Sequence, residues 1–311
     1  MRLATIDLGT NTVRLLVVDA EDTGRWRVVH QEQRVTRLGE GLAATGSLGD
    51  APMTRTVATV RDYVARAESL AASAVRIVAT SAVREAANGT GFAAAVERAT
   101  QQRVEIITGA EEARLTLAGV RAGLPTLDGD LLLFDIGGGS TEYIRADGAR
   151  VVGEASVKLG VVELAERYPF PRSVPWDRYA ALAREVAERL RTAVPDVIWR
   201  SPVARLVGTA GTVTTLAALD LGLRAYDAER VQGHTLTRAT VERLLRWLAG
   251  LSVDERAALP CLEPGRADII VHGIAIVTAT LDHAAVDTLV VSDWGLREGL
   301  VAERLAGERR S

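Results

Sequence analysis

Apolar residues come at strand spacing in the first three stretches of the chain, RLATIDLG, TVRLLVVDAE and WRVVHQEQRV, which predict strand, turn, strand and a third strand of alternating character. After the loop TRLGEGLAATGSLGD the spacing becomes helical. Val57, Val60, Val64 and Leu70 recur through PMTRTVATVRDYVARAESLAA, with Pro52 at the entry. AVRIVAT then predicts a short buried strand, SAVREAANG a helical turn closed by Gly89, and GFAAAVERATQQ a helix. RVEIIT predicts a strand and GAEEARLTLAGVRAG a helix. Strands alternating with helices imply a partly parallel α/β sheet.

Beyond the link LPTLDGD that opening recurs. LLLFDIGGGSTEYIRADG predicts a strand, a glycine-rich turn and a second strand, and ARVVGEASVKLG a third. Helices are predicted at 161–168, 176–194, 211–221 and 237–250, with a strand ARLVG before the third of them. GRADIIVHGIAIVTATLDH is a further helix, TLVVS a strand, and a last helix runs from 296. YPFPRSVPW is the one irregular link. TIDLGTNTVRLLV and LFDIGGGSTEYIR share an order of features: Asp at a strand end, an apolar residue, Gly, small residues, Thr and a second strand. Asp7 aligns with Asp135, 128 residues apart, about one domain length. The expectation is two similar domains facing each other across a cleft, 1–124 and 125–296, with a helix at 297–311 packing back on the first.

Composition narrows the function. The 311 residues are 48% hydrophobic and 25% charged, an ordinary globular balance. A net charge of −3 argues against a general nucleic-acid binder. It leaves room for an anionic ligand held by backbone amides and a few arginines. The single cysteine, Cys261, excludes an internal disulfide and a Cys-based zinc site. The four histidines (His30, His234, His272, His283) have no ligand spacing and read as structural or solvated. No signal peptide and no window of about 18 uncharged apolar residues is present, so the expectation is a cytoplasmic protein without a membrane span. Lys158 is the only lysine, which reads most simply as the base composition of a GC-rich genome.

Three loops carry the chemistry. Glycines let a turn approach a ligand closely, so that successive N–H groups converge on an anion. Gly137, Gly138 and Gly139 could cradle phosphate oxygens with Ser140 and Thr141 as added donors, and Thr10, Asn11 and Thr12 could do the same in the first copy. A tight β-hairpin is the structural alternative for either loop alone. Asp7, Asp135 and Glu142 beside a polyanion require a cation between, and magnesium or manganese suits carboxylates, waters and phosphate oxygens. In RLVGTAGTVTTLAAL an apolar strand ends in Gly208-Thr209-Ala210-Gly211 before a helix, whose N-terminus could take a further phosphate.

The two Asp-Gly hairpins and the later GTAGT resemble the actin, Hsp70 and sugar-kinase superfamily, which implies duplicated actin-like (ribonuclease H-like) domains. DLGTNTVRL, RLGEGL, ATSAVREAANG, ITGAEEARLTLAGV, DIGGGSTE, VGTAGT, PGRADII and VSDWGLREG, in this order, are similar to the exopolyphosphatase / guanosine pentaphosphate phosphohydrolase family in its short, two-domain form. The resemblance runs from about residue 3 to 300. It implies Mg-dependent hydrolysis of the terminal phosphate of linear polyphosphate. Guanosine pentaphosphate is the alternative substrate. It places the catalytic glutamate on Glu112, which would activate water, and a phosphate-facing arginine on Arg84. Lys158 and Arg266 fall in blocks that would line the polyanion path, and the resemblance also implies a homodimer. Two further readings stay open: a superfamily kinase, against which EEAR argues, and an alarmone sensor binding guanosine tetraphosphate without turnover.

Overall fold

The computed structural model describes residues 1–21, 25–127, 129–148, 150–200 and 202–308. Asp128 in the predicted link, Ala149 at the head of the predicted strand ARVVGEASVKLG, and the last three residues of the predicted terminal helix lie outside them. The chain forms two compact units, residues 1–122 with 295–311, and residues 123–294.

The first unit opens with β1 (Arg2–Leu8), β2 (Thr12–Ala20) and β3 (Trp26–Val35), an antiparallel meander. Helices α1 (Leu42–Thr45) and α2 (Asp50–Ser69) lead to β4 (Ala74–Ala79), which lies parallel to β1. Helices α3 (Ser81–Glu85) and α4 (Gly89–Thr100) lead to β5 (Val104–Ile106), parallel to β4, and α5 (Gly109–Gly123) follows. The sheet order is β3-β2-β1-β4-β5. Its core includes Ile6, Leu8, Val13, Leu15 and Ile77 from the strands, with Val60, Tyr63, Phe92 and Val96 from α2 and α4.

The second unit repeats the plan. β6 (Asp130–Ile136), β7 (Thr141–Asp147) and β8 (Arg150–Val157) form its meander. Helices α6 (Val161–Arg167), α7 (Trp176–Ala193) and α8 (Asp196–Trp199) lead to β9 (Leu206–Thr209), parallel to β6. Next come α9 (Ala210–Asp220), α10 (Ala228–Val231), β10 (Thr235–Thr237), α11 (Arg238–Ala249), α12 (Val253–Ala257), a 3-10 turn at Pro264–Arg266, and α13 (Ile270–Ala284). β11 (Thr288–Val291) lies parallel to β9, and α14 (Leu296–Glu308) closes the chain in the first unit. The order is β10-β11-β9-β6-β7-β8, which is the first sheet's order with one added edge strand. Each unit is thus a three-stranded meander extended by two parallel strands through helical crossovers, a duplicated ribonuclease H-like topology of the actin-like α/β class.

Two expectations change in detail. Pro52 is the third residue of α2, which starts at Asp50, because a proline costs nothing in a first turn whose amides have no helical acceptor. Gly89 does not close the SAVRE turn but begins α4; a Cβ there would lie 1.9 Å from the Val83 carbonyl oxygen, so only glycine lets the two helices meet so closely.

α14 is built tightly into the first unit. Val301 and Leu305 join Leu3, Leu16 and Val18, while Leu296 and Leu300 join Val78, Ile107 and Leu115. A Cβ on Gly119 of α5 would stand 1.9 Å from the Gly295 carbonyl oxygen, and one on Gly299 1.9 Å from that of Leu115. The two helices therefore cross backbone to backbone, which fixes where α5 presents its first turn. Among the described residues no helix is long and apolar enough to cross a membrane.

Candidate active site

The two hairpins are built alike. Gly9 donates its N–H to the Thr12 carbonyl at 3.1 Å, and Gly137 donates to that of Ser140 at 2.9 Å. Asp7 pairs across its hairpin with Arg14, and Asp135 with Glu142, the same spacing in both copies.

The loop carbonyls are held from behind. In the first hairpin Gly39 donates to the Thr10 carbonyl at 2.8 Å, and Thr36 and Arg37 both donate to that of Asn11 at 3.0 Å. In the second, Val161 and Val162 at the head of α6 donate to the carbonyls of Gly137 and Gly138 at 3.2 and 2.9 Å. A trans peptide is planar, with its C=O and N–H on opposite sides. A carbonyl held toward the clamp therefore turns the next N–H away from it. The amides of Asn11, Gly138 and Gly139 point outward in this way, and none has a hydrogen-bond acceptor among the described residues. Both clamps need glycine: a Cβ on Gly39 would lie 2.2 Å from Thr10 Cγ2, and one on Gly160 2.1 Å from the Gly138 carbonyl oxygen.

The side chains do less donating than the sequence led us to expect. Ser140 Oγ donates to Glu142 Oε1 at 2.7 Å, and Thr141 Oγ1 to the Leu159 carbonyl at 2.6 Å. Both hydroxyl protons are committed inside the protein, so the backbone amides are the donors left to an anion. Asn11 Nδ2 lies 3.4 Å from Thr12 Oγ1, with both residues buried.

In the first unit Glu112 and Arg84 come together. Glu112 sits in the first turn of α5, where its amide donates to the Thr108 carbonyl at 2.9 Å and that of Glu111 to Thr108 Oγ1 at 3.1 Å. Arg84 Nη1 donates to the Ile107 carbonyl at 2.8 Å and to Glu112 Oε2 at 3.1 Å. The glutamate side chain is 12% exposed. A carboxylate at a helix N-terminus, oriented by a charged donor on one oxygen, is a fixed acceptor for a proton from water.

In the second unit the GTAG turn separates into two roles. Gly208 is a packing glycine: a Cβ would lie 2.7 Å from the Phe134 ring, and its carbonyl accepts from the Ser292 amide at 2.9 Å. Gly211 faces Arg266, where a Cβ would lie 2.7 Å from the guanidinium carbon. Ala210 takes a left-handed φ of 69°, a conformation costing a non-glycine residue about 1–2 kcal/mol. No side chain caps the N-terminus of the 11-residue α9, so its free amides lie beside the buried guanidinium of Arg266. Lys158 is exposed in the segment leading to Gly160 and α6, and its carbonyl accepts from Arg189 at 3.1 Å.

The expected metal ligands differ in their surroundings. Asp7 is 5% exposed, its Oδ1 has no hydrogen-bond partner, and Arg14 Nη1 is 3.8 Å from Oδ2. Burial raises its carboxyl pKa above the usual range, against the opposing pull of Arg14 and Arg297. Glu142 receives hydroxyl donors from both Ser140 and Ser156, each at 2.7 Å on Oε1. Among the described residues no three His, Cys, Asp or Glu side chains cluster as a metal-binding group. The donors present suit a hard ion held by one or two carboxylates, with water and phosphate oxygens completing its shell.

Sequence reasoning passed over Arg14, Ser156, the Thr36–Gly39 strap and the Gly160 clamp. Arg14 was recoverable, since the hairpin register places it opposite Asp7. The glycines of RLGEGL and VKLGVV were the only trace of the clamps.

The whole chain has close counterparts. Exopolyphosphatase 2 of Mycobacterium tuberculosis is 35% identical over 98% of this chain and 99% of its own length. Exopolyphosphatase 1 of Mycobacterium leprae is 29% identical over 99% and 91%. Among solved structures, an exopolyphosphatase from Cytophaga hutchinsonii superposes with a TM-score of 0.90 at 28% identity, covering 99% of this chain and 98% of that one. The Ppx/GppA protein of Aquifex aeolicus gives 0.81 at 31% identity, covering 100% and 99%. The Ppx/GppA phosphatase family model matches residues 17–308, a span that takes in Arg84, Glu112, the second glycine hairpin and Arg266, and to that family this chain belongs.

Proposed function

We propose that the chain is an exopolyphosphatase, a phosphoanhydride hydrolase that removes the terminal phosphate of linear inorganic polyphosphate. The observation that carries this reading is the pair of rear-clamped hairpins, whose outward amides at Asn11, Gly138 and Gly139 suit a ligand rich in anionic oxygens. Its relatives named exopolyphosphatase cover nearly its whole length and supply the substrate class.

In the proposed reaction a water attacks the terminal phosphorus in line with the bridging oxygen. Glu112 takes the proton as the new P–O bond forms. The P–O–P bond breaks with its electron pair on the shortened chain, and orthophosphate leaves. Arg84 holds the Glu112 carboxylate at 3.1 Å and carries positive charge beside it, suited to a phosphoryl oxygen. Asn11, Thr12 and Gly137 to Ser140 would bind phosphates in the two hairpins. Arg266, Lys158 and the head of α9 would take phosphates further along the chain. Magnesium, or manganese in its place, would be held by one or two of the carboxylates Asp7, Asp135 and Glu142, with water and phosphate oxygens completing its shell, and would neutralise phosphate charge when bound.

The test is Glu112→Gln. Positioned base catalysis contributes about 10²–10⁴-fold, so phosphate release should fall by that factor with the circular dichroism spectrum unchanged. Near-wild-type release from a correctly folded variant would sink the assignment. Running long polyphosphate, short polyphosphate and guanosine pentaphosphate side by side ranks the substrates, and the reading requires polyphosphate to lead.

A further inference from the structure

Among the described residues Arg256 has the largest side chain completely shielded from solvent; no carboxylate lies within ion-pair distance of it, and Asp268 acts on it only from farther away. Burying a guanidinium with no carboxylate in direct contact is costly, and an apolar residue of similar volume would fill the space more cheaply. Its use must lie in what it donates. Nε donates to the Leu248 carbonyl at 2.8 Å near the end of α11, and Nη1 to the Ala267 carbonyl at 3.4 Å. Nη2 has no partner. The five-residue α12 that carries Arg256 is itself fixed by a capping box between Ser252 and Glu255.

Ala267 directly follows Arg266. The turn is closed by Arg266 N–H to the Glu263 carbonyl at 2.8 Å and Ala267 N–H to that of Pro264 at 3.2 Å. Holding the Ala267 carbonyl from below fixes the Cα from which the Arg266 side chain reaches Gly211, where no Cβ would fit. We propose that Arg256 is a positioning residue for polyanion binding, setting the Pro264–Arg266 turn so that Arg266 lies over Gly211 at the head of α9. The proposal rests on Arg266 being a phosphate contact.

A double-mutant cycle on the full-length enzyme separates the two claims. Arg266→Ala should raise KM for polyphosphate about tenfold or more, with kcat within about twofold, as expected when a charge-assisted contact is lost. Arg256→Met should raise KM in the same direction, and the double variant should be no worse than Arg266→Ala alone. Arg256→Lys, which keeps a charge and one carbonyl bond, should recover part of the loss, and it replaces Met in the cycle if the Met variant does not fold. A purely structural role would lower the active fraction, hence kcat, and leave KM in place. A folded Arg256 variant with wild-type KM, or KM effects that multiply in the double variant, overturns the positioning role. An unchanged KM in Arg266→Ala removes the underlying contact instead.

Discussion

Asp7, proposed above as a metal ligand, sets stability against that role. Its Oδ1 is buried without a partner, and burial outweighs Arg14 and Arg297 in raising its pKa. The folded state is therefore a worse home for the carboxylate than water is. Asp7→Asn keeps the shape and removes the charge, relieving the net cost of burying a carboxylate that Arg14 and Arg297 only partly offset, on the order of 2 kcal/mol. For a unit of this size that is about 4–8 °C in melting temperature. The sign of the pH dependence follows from linkage. A carboxyl with a raised folded-state pKa binds its proton more tightly when folded, so the wild type recovers stability as pH falls toward the unfolded value near 3.8. The advantage of the Asn variant should be greatest at neutral pH and shrink with acidification. Thermal melts of both proteins in chelator from pH 7 to 4.5, paired with phosphate-release assays, read this directly. The Asn variant should be more stable and far less active. A variant that melts lower than wild type at pH 7, or whose advantage is flat with pH, refutes the reasoning.

His272 is fully shielded, its Nε2 is 2.9 Å from the Tyr168 carbonyl, and desolvation pushes its pKa down to about 4. Arg256 adds to the fall and Asp268 opposes it. Stability should drop as pH falls below about 6.5, by up to about 3 kcal/mol near pH 4, and urea unfolding of His272→Leu should show a flatter profile; parallel profiles would count against it. Gly160→Ala puts a Cβ 2.1 Å from the Gly138 carbonyl oxygen, so it should cost about 1–3 kcal/mol and raise KM as the glycine loop tilts, measured by denaturant titration and steady-state kinetics. Glu142→Gln keeps an oxygen for the two serine hydroxyls, so the fold should hold while the activating metal concentration rises about tenfold or more; an unchanged metal titration would exclude Glu142 as a ligand.

The strands, the long helices and the duplication were readable in the sequence because each rests on a periodic signal or on an unusual residue repeated at one offset. Glu112 and Arg84 were found only through the family resemblance, since their contact joins the first turn of α5 to α3 across the β4–β5 edge. No spacing rule encodes a pair 28 residues apart. The short helices α8, α10 and α12 and the strand β10 escaped because three to five residues carry no period. Arg256 escaped for the same reason: in VDERA it reads as one more surface arginine, and only the position of α12 buries it. The clamps were invisible for a different cause. They are backbone-to-backbone bonds, and the sequence marks them only by the absence of a side chain at Gly39 and Gly160.

The duplication preserved backbone geometry and let the charges diverge. In both hairpins the aspartate strand and the loop closure coincide and a rear clamp is present, yet the clamp comes from a loop in one and a helix in the other, and the cross-strand partner is Arg14 in one and Glu142 in the other. Outward amides favour an anion in either copy, so the partner decides what else each hairpin tolerates. Arg14 offsets part of the charge of Asp7, so the first hairpin needs a cation less than the second. Asp135 and Glu142 stand side by side across the second hairpin, and two carboxylates next to an anion site suit the proposed cation. An enzyme that must neutralise a polyanion and release it needs both environments. The exchange of Arg14 for Glu142 at the equivalent cross-strand position is what sets the charge of the two hairpins apart.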